Sequence, residues 1–176
     1  GTASKVGLVT PTTGMQSFAS EISKKYQNDD WSIAKGHYVS AIEQVAREYG
    51  LDDGGNFYEN AGEGYPTIFE GNGQVSMDTL KGAIYDCIND MLFHDGDSSN
   101  GHLFALIGAK NSSINGNYLG IATNALNGVT GQIHIEMVPE DPLYISNQSL
   151  FNSKGGKTEI KYTDPRTVLQ NQLNDL

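Results

Sequence analysis

The chain is poor in the features that mark common functions. One cysteine, Cys87, among 176 residues excludes an intramolecular disulfide framework. That fits a reducing compartment, or equally an exported bacterial protein that does not rely on disulfides. On an apolar helix face, Cys87 reads as a small buried hydrophobe rather than a nucleophile. Eleven Lys and Arg against 21 Asp and Glu give a formal charge of −10. No basic stripe exists to release counterions from phosphate, which argues against nucleic acid as a general partner. Anionic membrane surfaces are disfavoured for the same reason. No apolar run reaches the ~18 residues of a membrane span. A basic segment followed by an apolar one is missing at the start, so no signal peptide is expected in these residues. Gly1-Thr2-Ala3-Ser4 reads as a processing boundary, so a leader or anchor could lie outside these residues and the ends do not give the compartment. Nucleophile-elbow, P-loop and dinucleotide signatures are lacking too. Gly62-Glu63-Gly64 and Gly71-Asn72-Gly73 have neither the preceding strand nor the following helix that a phosphate loop needs.

What is present suits one folded domain. Hydrophobic residues make up 38% and charged residues 18%, leaving Asn, Ser, Thr, Gln and Gly to carry much of the surface. Met15, Phe18, Ile22 and Tyr26 recur at helical spacing over 14–27, capped by Thr12 or Thr13. A second helix is expected over 33–49, with Tyr38, Ile42, Val45 and Tyr49 buried and Gly50 following as C′ residue. Residues 51–75 read as a Gly-rich irregular loop. Ser76 caps a third helix to Phe93 whose apolar face holds Leu80, Ile84, Cys87, Ile88 and Met91. The period then changes: Leu103–Ala109, Tyr118–Ala122 and Gln132–Val138 read as strands, with Asn115-Gly116 and Asn127-Gly128 as turns. Thr158–Tyr162 is a further short strand candidate, and a terminal helix is expected from Arg166. The expectation is an α+β fold, helices packed on a mainly antiparallel sheet. Residues 1–12 form an N-terminal arm, 13–138 the domain and 139–176 a C-terminal extension.

Three residues could make a site. Gly36-His37 heads the second helix, Gly62-Glu63 lies in the Gly-rich loop, and Gly101-His102 opens an apolar run after a polar loop. Two neutral imidazoles and a carboxylate can hold zinc or another borderline divalent cation. Their spacing matches no local metal motif, and each histidine could equally satisfy a backbone hydrogen bond. His94, ending the third helix, has a ready structural role at the helix C-terminus. His134 and Glu136 share one face of their strand; solvent exposure is expected there, with a place lining a cleft as the alternative. Asp95–Asn100 resembles half of a calcium loop, but Asn100 stands where an EF-hand needs Gly and Leu106 where it needs Glu. A solvated turn is expected there, with another oxygen-ligated calcium site left open. Asn111-Ser112-Ser113 and Asn147-Gln148-Ser149 fit the glycosylation pattern, as chance predicts in so Asn- and Ser-rich a chain.

The order of these pieces resembles the CAP superfamily: histidine near a helix start, Gly-Glu in a loop, a helix, then Gly-His. Trp31–Gly50, Met77–Gly108 and Tyr118-Leu119-Gly120-Ile121 carry a closer likeness to the CAP-like domain of bacterial surface-exclusion proteins of the PgrA type. The likeness covers roughly residues 11–138. It implies an α-β-α sandwich with a cleft lined by two histidines and two acids. His37 and His102 match the histidines. Glu63 matches the acid of a Gly-Glu-Asn motif, although Gly64 stands where Asn belongs; Asp86 and Asp90 are candidates for the second acid by position. The resemblance further implies an extracellular, wall-anchored protein of a Gram-positive bacterium, acting in surface exclusion or adhesion. Its partner would then be a cell-surface protein or cell-wall component. Enzymatic activity is not implied. If the cleft were a metal-dependent hydrolase, Glu63 would be its general base; a small apolar ligand is the third use of the same cleft.

Overall fold

The computed structural model describes residues 8–55, 58–65, 75–107, 116–162 and 164–174. Helix α1 spans Thr13–Asn28, and the Thr12 hydroxyl accepts the Met15 N–H, satisfying a donor that the first turn leaves open. Its expected stripe, Met15, Phe18, Ile22 and Tyr26, is fully buried. The second helix is not continuous. Ile33–Lys35 makes one 3-10 turn, Gly36 takes φ 91°, and α2 (Val39–Glu48) begins after it. Left-handed backbone costs an L-residue about 1–2 kcal/mol, so Gly36 breaks the helix and leaves His37 in the connection. At the other end of α2, Gly50 N–H donates to the Arg47 carbonyl and Leu51 N–H to that of Ala46, the paired closure expected of a C′ glycine. Helix α3 (Met77–Phe93) starts where Ser76 caps it, its hydroxyl accepting from the Thr79 N–H.

Four strands form one sheet: β1 (Val9–Pro11), β2 (Glu59–Glu63), β3 (Asn117–Leu126) and β4 (Thr130–Pro139), in the order β1-β3-β4-β2. β1 runs parallel to β3, and the other pairs are antiparallel. The β3–β4 hairpin turns at Asn127-Gly128, φ 50° and 72°, the geometry that Asn-Gly favours. Strand β1 lies within the stretch read as an arm. Strand β2 lies in the stretch read as a loop. Its sequence, Glu-Asn-Ala-Gly-Glu, has no β-branched or aromatic residue, and pairing with β4 sets its conformation.

The apolar run expected to be a strand over Leu103–Ala109 is helix α4 (Gly101–Leu106); Ala109 lies outside the described residues, as do Asn115, Gly71-Asn72-Gly73 and Asn111-Ser112-Ser113. A short apolar run has no periodicity to separate strand from helix. Helices α5 (Gln148–Ser153) and α6 (Pro165–Asn174) follow, α6 where a terminal helix is expected. Of the candidate strand at Thr158–Tyr162, the structure keeps one bridge, Glu159 to Thr12.

Strand alternation divides the core in two. On one face Tyr118 and Val138 join Met15, Phe18, Ile22 and Tyr26 of α1, Ile42 and Val45 of α2, and Phe151 of α5. On the other, Ile133, Ile135 and Met137 pack with Ala83, Cys87 and Met91 of α3 and with Leu106 of α4. The fold is α+β, with helices on both faces of a mostly antiparallel sheet.

Candidate functional site

Pairing register lines up a polar row beneath α1. Gln132, His134 and Glu136 of β4 share one face. Glu63, Ala61 and Glu59 of β2 lie opposite them on one side, and Asn124, Ala122 and Gly120 of β3 on the other. His134 and Glu136 do not face solvent; both are fully buried. Alternation along β4 separates its two faces but does not show that helices cover both of them.

Glu59 is the centre of this row. Its Oε2 accepts from the Tyr26 hydroxyl at 2.6 Å and pairs with His37 Nδ1 at 2.6 Å, while its Oε1 pairs with His134 Nδ1 at 2.8 Å. Burial pushes the Glu59 carboxyl up, but the His134 and His37 contacts outweigh it and hold the group at about 2. Tyr26 also fixes the loop, since its hydroxyl accepts the Tyr38 N–H at 2.7 Å. Trp31 stacks on Tyr38 with ring centres 4.3 Å apart and donates its indole N–H to the Gly36 carbonyl. His37 is thus gripped on both sides in sequence.

His102 comes from α4, which touches β2 at the sheet edge, as does the 3-10 turn ahead of His37. The two imidazoles therefore meet over β2, ring centres 6.4 Å apart. Behind His102 stands Asp95, whose Oδ1 pairs with Nδ1 at 2.7 Å while its Oδ2 accepts the Leu103 N–H. Asp95 is buried rather than part of a solvated turn. Burial pushes its carboxyl up, and the bonds from His102 and Leu103 N–H hold it below its ordinary value. Neither positional candidate for the second acid takes this place: Asp86 is exposed, and Asp90 pairs with the exposed His94 on the surface.

Glu63 is placed differently. Its Oε2 accepts from the Ser32 hydroxyl at 2.8 Å and the Gln132 amide at 2.7 Å. Burial pushes it up, and these bonds together with the Ile33 and Ala34 backbone hold it down. No hydrogen bond or ion pair joins Glu63 to either imidazole among the described residues. Its carboxylate instead anchors the 3-10 turn that leads to His37.

No family model matches the sequence, and no curated protein does. Among solved structures, the CAP domain of enterococcal PrgA is similar, with a TM-score of 0.68 and 27% identity, covering 95% of this chain. This chain has a CAP-like fold. It spans 64% of the length of that solved chain.

The CAP-like fold gives each imidazole its own carboxylate: Glu59 behind His37 and Asp95 behind His102, both through Nδ1. Neither Nε2 has a hydrogen-bond partner among the described residues, and each histidine side chain stays about one-fifth exposed, 22% and 21%. A ring held at Nδ1 by a carboxylate, with Nε2 open, is oriented as a metal ligand. If a divalent cation bound here, the open Nε2 atoms of His37 and His102 would hold it. The donor chemistry therefore fits a divalent cation. Sequence reading passed over Glu59 and Asp95. The sequence does carry a signal for Glu59, since Glu59-Asn60 keeps the Asn that Glu63-Gly64 lacks. Asp95 gave none, because its contact with His102 depends on the turn between them.

Proposed function

We propose that this CAP-like domain is an extracellular interaction module of a bacterial cell surface, acting in surface exclusion or adhesion, and that His37 and His102 hold a divalent cation at its contact site. The observation that carries the reading is the pair of carboxylate-backed imidazoles at one edge of the sheet, in a fold shared with the CAP domain of enterococcal PrgA over 95% of this chain. The formal charge of −10 favours a partner reached through a cation or carrying basic groups. Glu59 acts through His37 and Asp95 through His102. Glu63 holds the turn ahead of His37.

Calorimetric titration with zinc tests the cation. We expect His37→Ala and His102→Ala to remove the site, and Asp95→Asn to weaken it by about 10–100-fold. Unchanged affinity in both histidine variants would reject the assignment. Binding of the labelled chain to intact Gram-positive cells and isolated walls, with and without chelator, tests the module. Failure to bind either target would end that reading.

A further inference from the structure

Beneath the paired histidines lies a second cluster, fully enclosed. Glu59, His134 and Glu136 each bring one ligand atom to within 4.8 Å of the others. Glu136 is fully buried, and neither of its carboxylate oxygens has a hydrogen-bond partner among the described residues. A buried carboxyl without a partner is costly, and native structures rarely leave one without cause.

The polar row fixes the tautomer of His134. The Trp31 backbone carbonyl can only accept, and it faces Gln132 Nε2 at 3.2 Å; the Glu63 carboxylate faces the same nitrogen. Gln132 therefore presents its NH₂ outward and its oxygen to Asn124 Nδ2, at 2.8 Å. Asn124 in turn presents its oxygen to His134 Nε2, at 2.6 Å. His134 must carry hydrogen on Nε2. Its Nδ1, the remaining ligand atom, faces Glu59 Oε1 at 2.8 Å.

The geometry points to a buried site for a first-row divalent cation, ligated by His134 Nδ1, Glu59 and Glu136. The Asn124–Gln132 relay is the outer-shell support that orients a ligating histidine. One nitrogen and two carboxylates form a mixed donor set suited to zinc or manganese. Charge balances. The two carboxylates of Glu59 and Glu136 would offset a divalent charge, leaving the buried cluster neutral with the cation bound. Access lies beside His37, whose partly exposed ring shares Glu59 with the cluster. The inference stands apart from the cation proposed between His37 and His102, because among the described residues no hydrogen bond or ion pair joins His102 to Glu59, His134 or Glu136.

The test is calorimetric titration of the chelator-treated full chain with zinc alone, for wild type, Glu136→Gln and His102→Ala. We expect two zinc equivalents in wild type, one in each variant, and zinc-dependent thermal stabilisation retained in His102→Ala. X-ray absorption of zinc-loaded His102→Ala should show an oxygen-rich shell with one imidazole. That spectrum stands even if Glu136→Gln fails to fold. A single wild-type equivalent that Glu136→Gln leaves unchanged would overturn the buried site, as would a spectrum of His102→Ala lacking the one-imidazole shell. A single equivalent lost in Glu136→Gln and kept in His102→Ala would support the buried site and reject the surface one.

Discussion

Glu59 and Glu136 lie opposite each other across β2 and β4, yet their carboxyls move in opposite directions. Histidine contacts hold Glu59 at about 2, below its ordinary 4.5, whereas burial and then the Glu59 charge push Glu136 well above 4.5. The signs follow. Glu59 is ionised in the native state at pH values where the unfolded chain has taken up a proton, so it stabilises above about 4.5 and that contribution is lost as pH falls toward 2. Glu136 keeps its proton in the native state while the unfolded chain loses it, so its contribution is full below 4.5 and is lost as pH rises above that value. Urea denaturation of chelator-treated protein from pH 2 to 8 checks both. We expect Glu136→Gln to remove a downward slope above pH 4.5 of up to about 1.4 kcal/mol per pH unit. We expect Glu59→Gln to flatten the acid limb and to be less stable than wild type at pH 7. A wild-type curve without either limb would mean that the two carboxyls are not coupled to folding in this way.

Among the elements, α1 against β3 shows how closely helix and sheet are set. A Cβ built on Gly120 would lie 1.9 Å from the Met15 carbonyl oxygen, a backbone atom that cannot swing aside. Gln16 of α1 grips the same strand, its side-chain amide donating to the Ile121 carbonyl. Gly120→Ala must therefore lift α1 off the sheet. We expect a loss of about 3 kcal/mol in chemical denaturation and a weaker Tyr26–Glu59 contact, read as lower zinc affinity. A loss under ~1 kcal/mol would show that the helix slides at little cost. The same scale explains which elements could be read in advance. Helices α1 and α3 carry long apolar periods and capping hydroxyls, and the β3–β4 hairpin carries alternation and Asn-Gly; each is a local signal. Strand β2 and helix α4 are five and six residues long, too short for a period, and their conformations come from neighbours.

For the molecule as a whole, the question is whether the residues after Pro139 are an appendage. Phe151 of α5 is fully buried in the α1–α2 core and packs on Tyr118 of β3, ring centres 5.6 Å apart. Gly155 accepts the Gly14 N–H at the start of α1. These contacts tie the C-terminal stretch to the first helix. Phe151→Ala should cost about 3–5 kcal/mol, in one cooperative unfolding transition. A change below ~1 kcal/mol, or a separate early transition, would mark that stretch as an extension.

Sequence alone determined the α+β class, the buried stripe of α1, the hairpin and the acidic exterior, and it singled out His37 and His102. All of these depend on spacing, capping or net charge, which act between near neighbours or by summation. Tertiary structure decided the rest: Glu59 and Asp95 as the carboxylates behind the histidines, Glu63 as the anchor of a turn, and His134 and Glu136 as buried groups. The assignments of Glu59, Glu63, His134 and Glu136 depend on β2 pairing with β4 and on both faces of the sheet being covered, and that of Asp95 on the turn before His102. Pairing partners and covering helices come from residues far apart along the chain, so no local window of sequence records them.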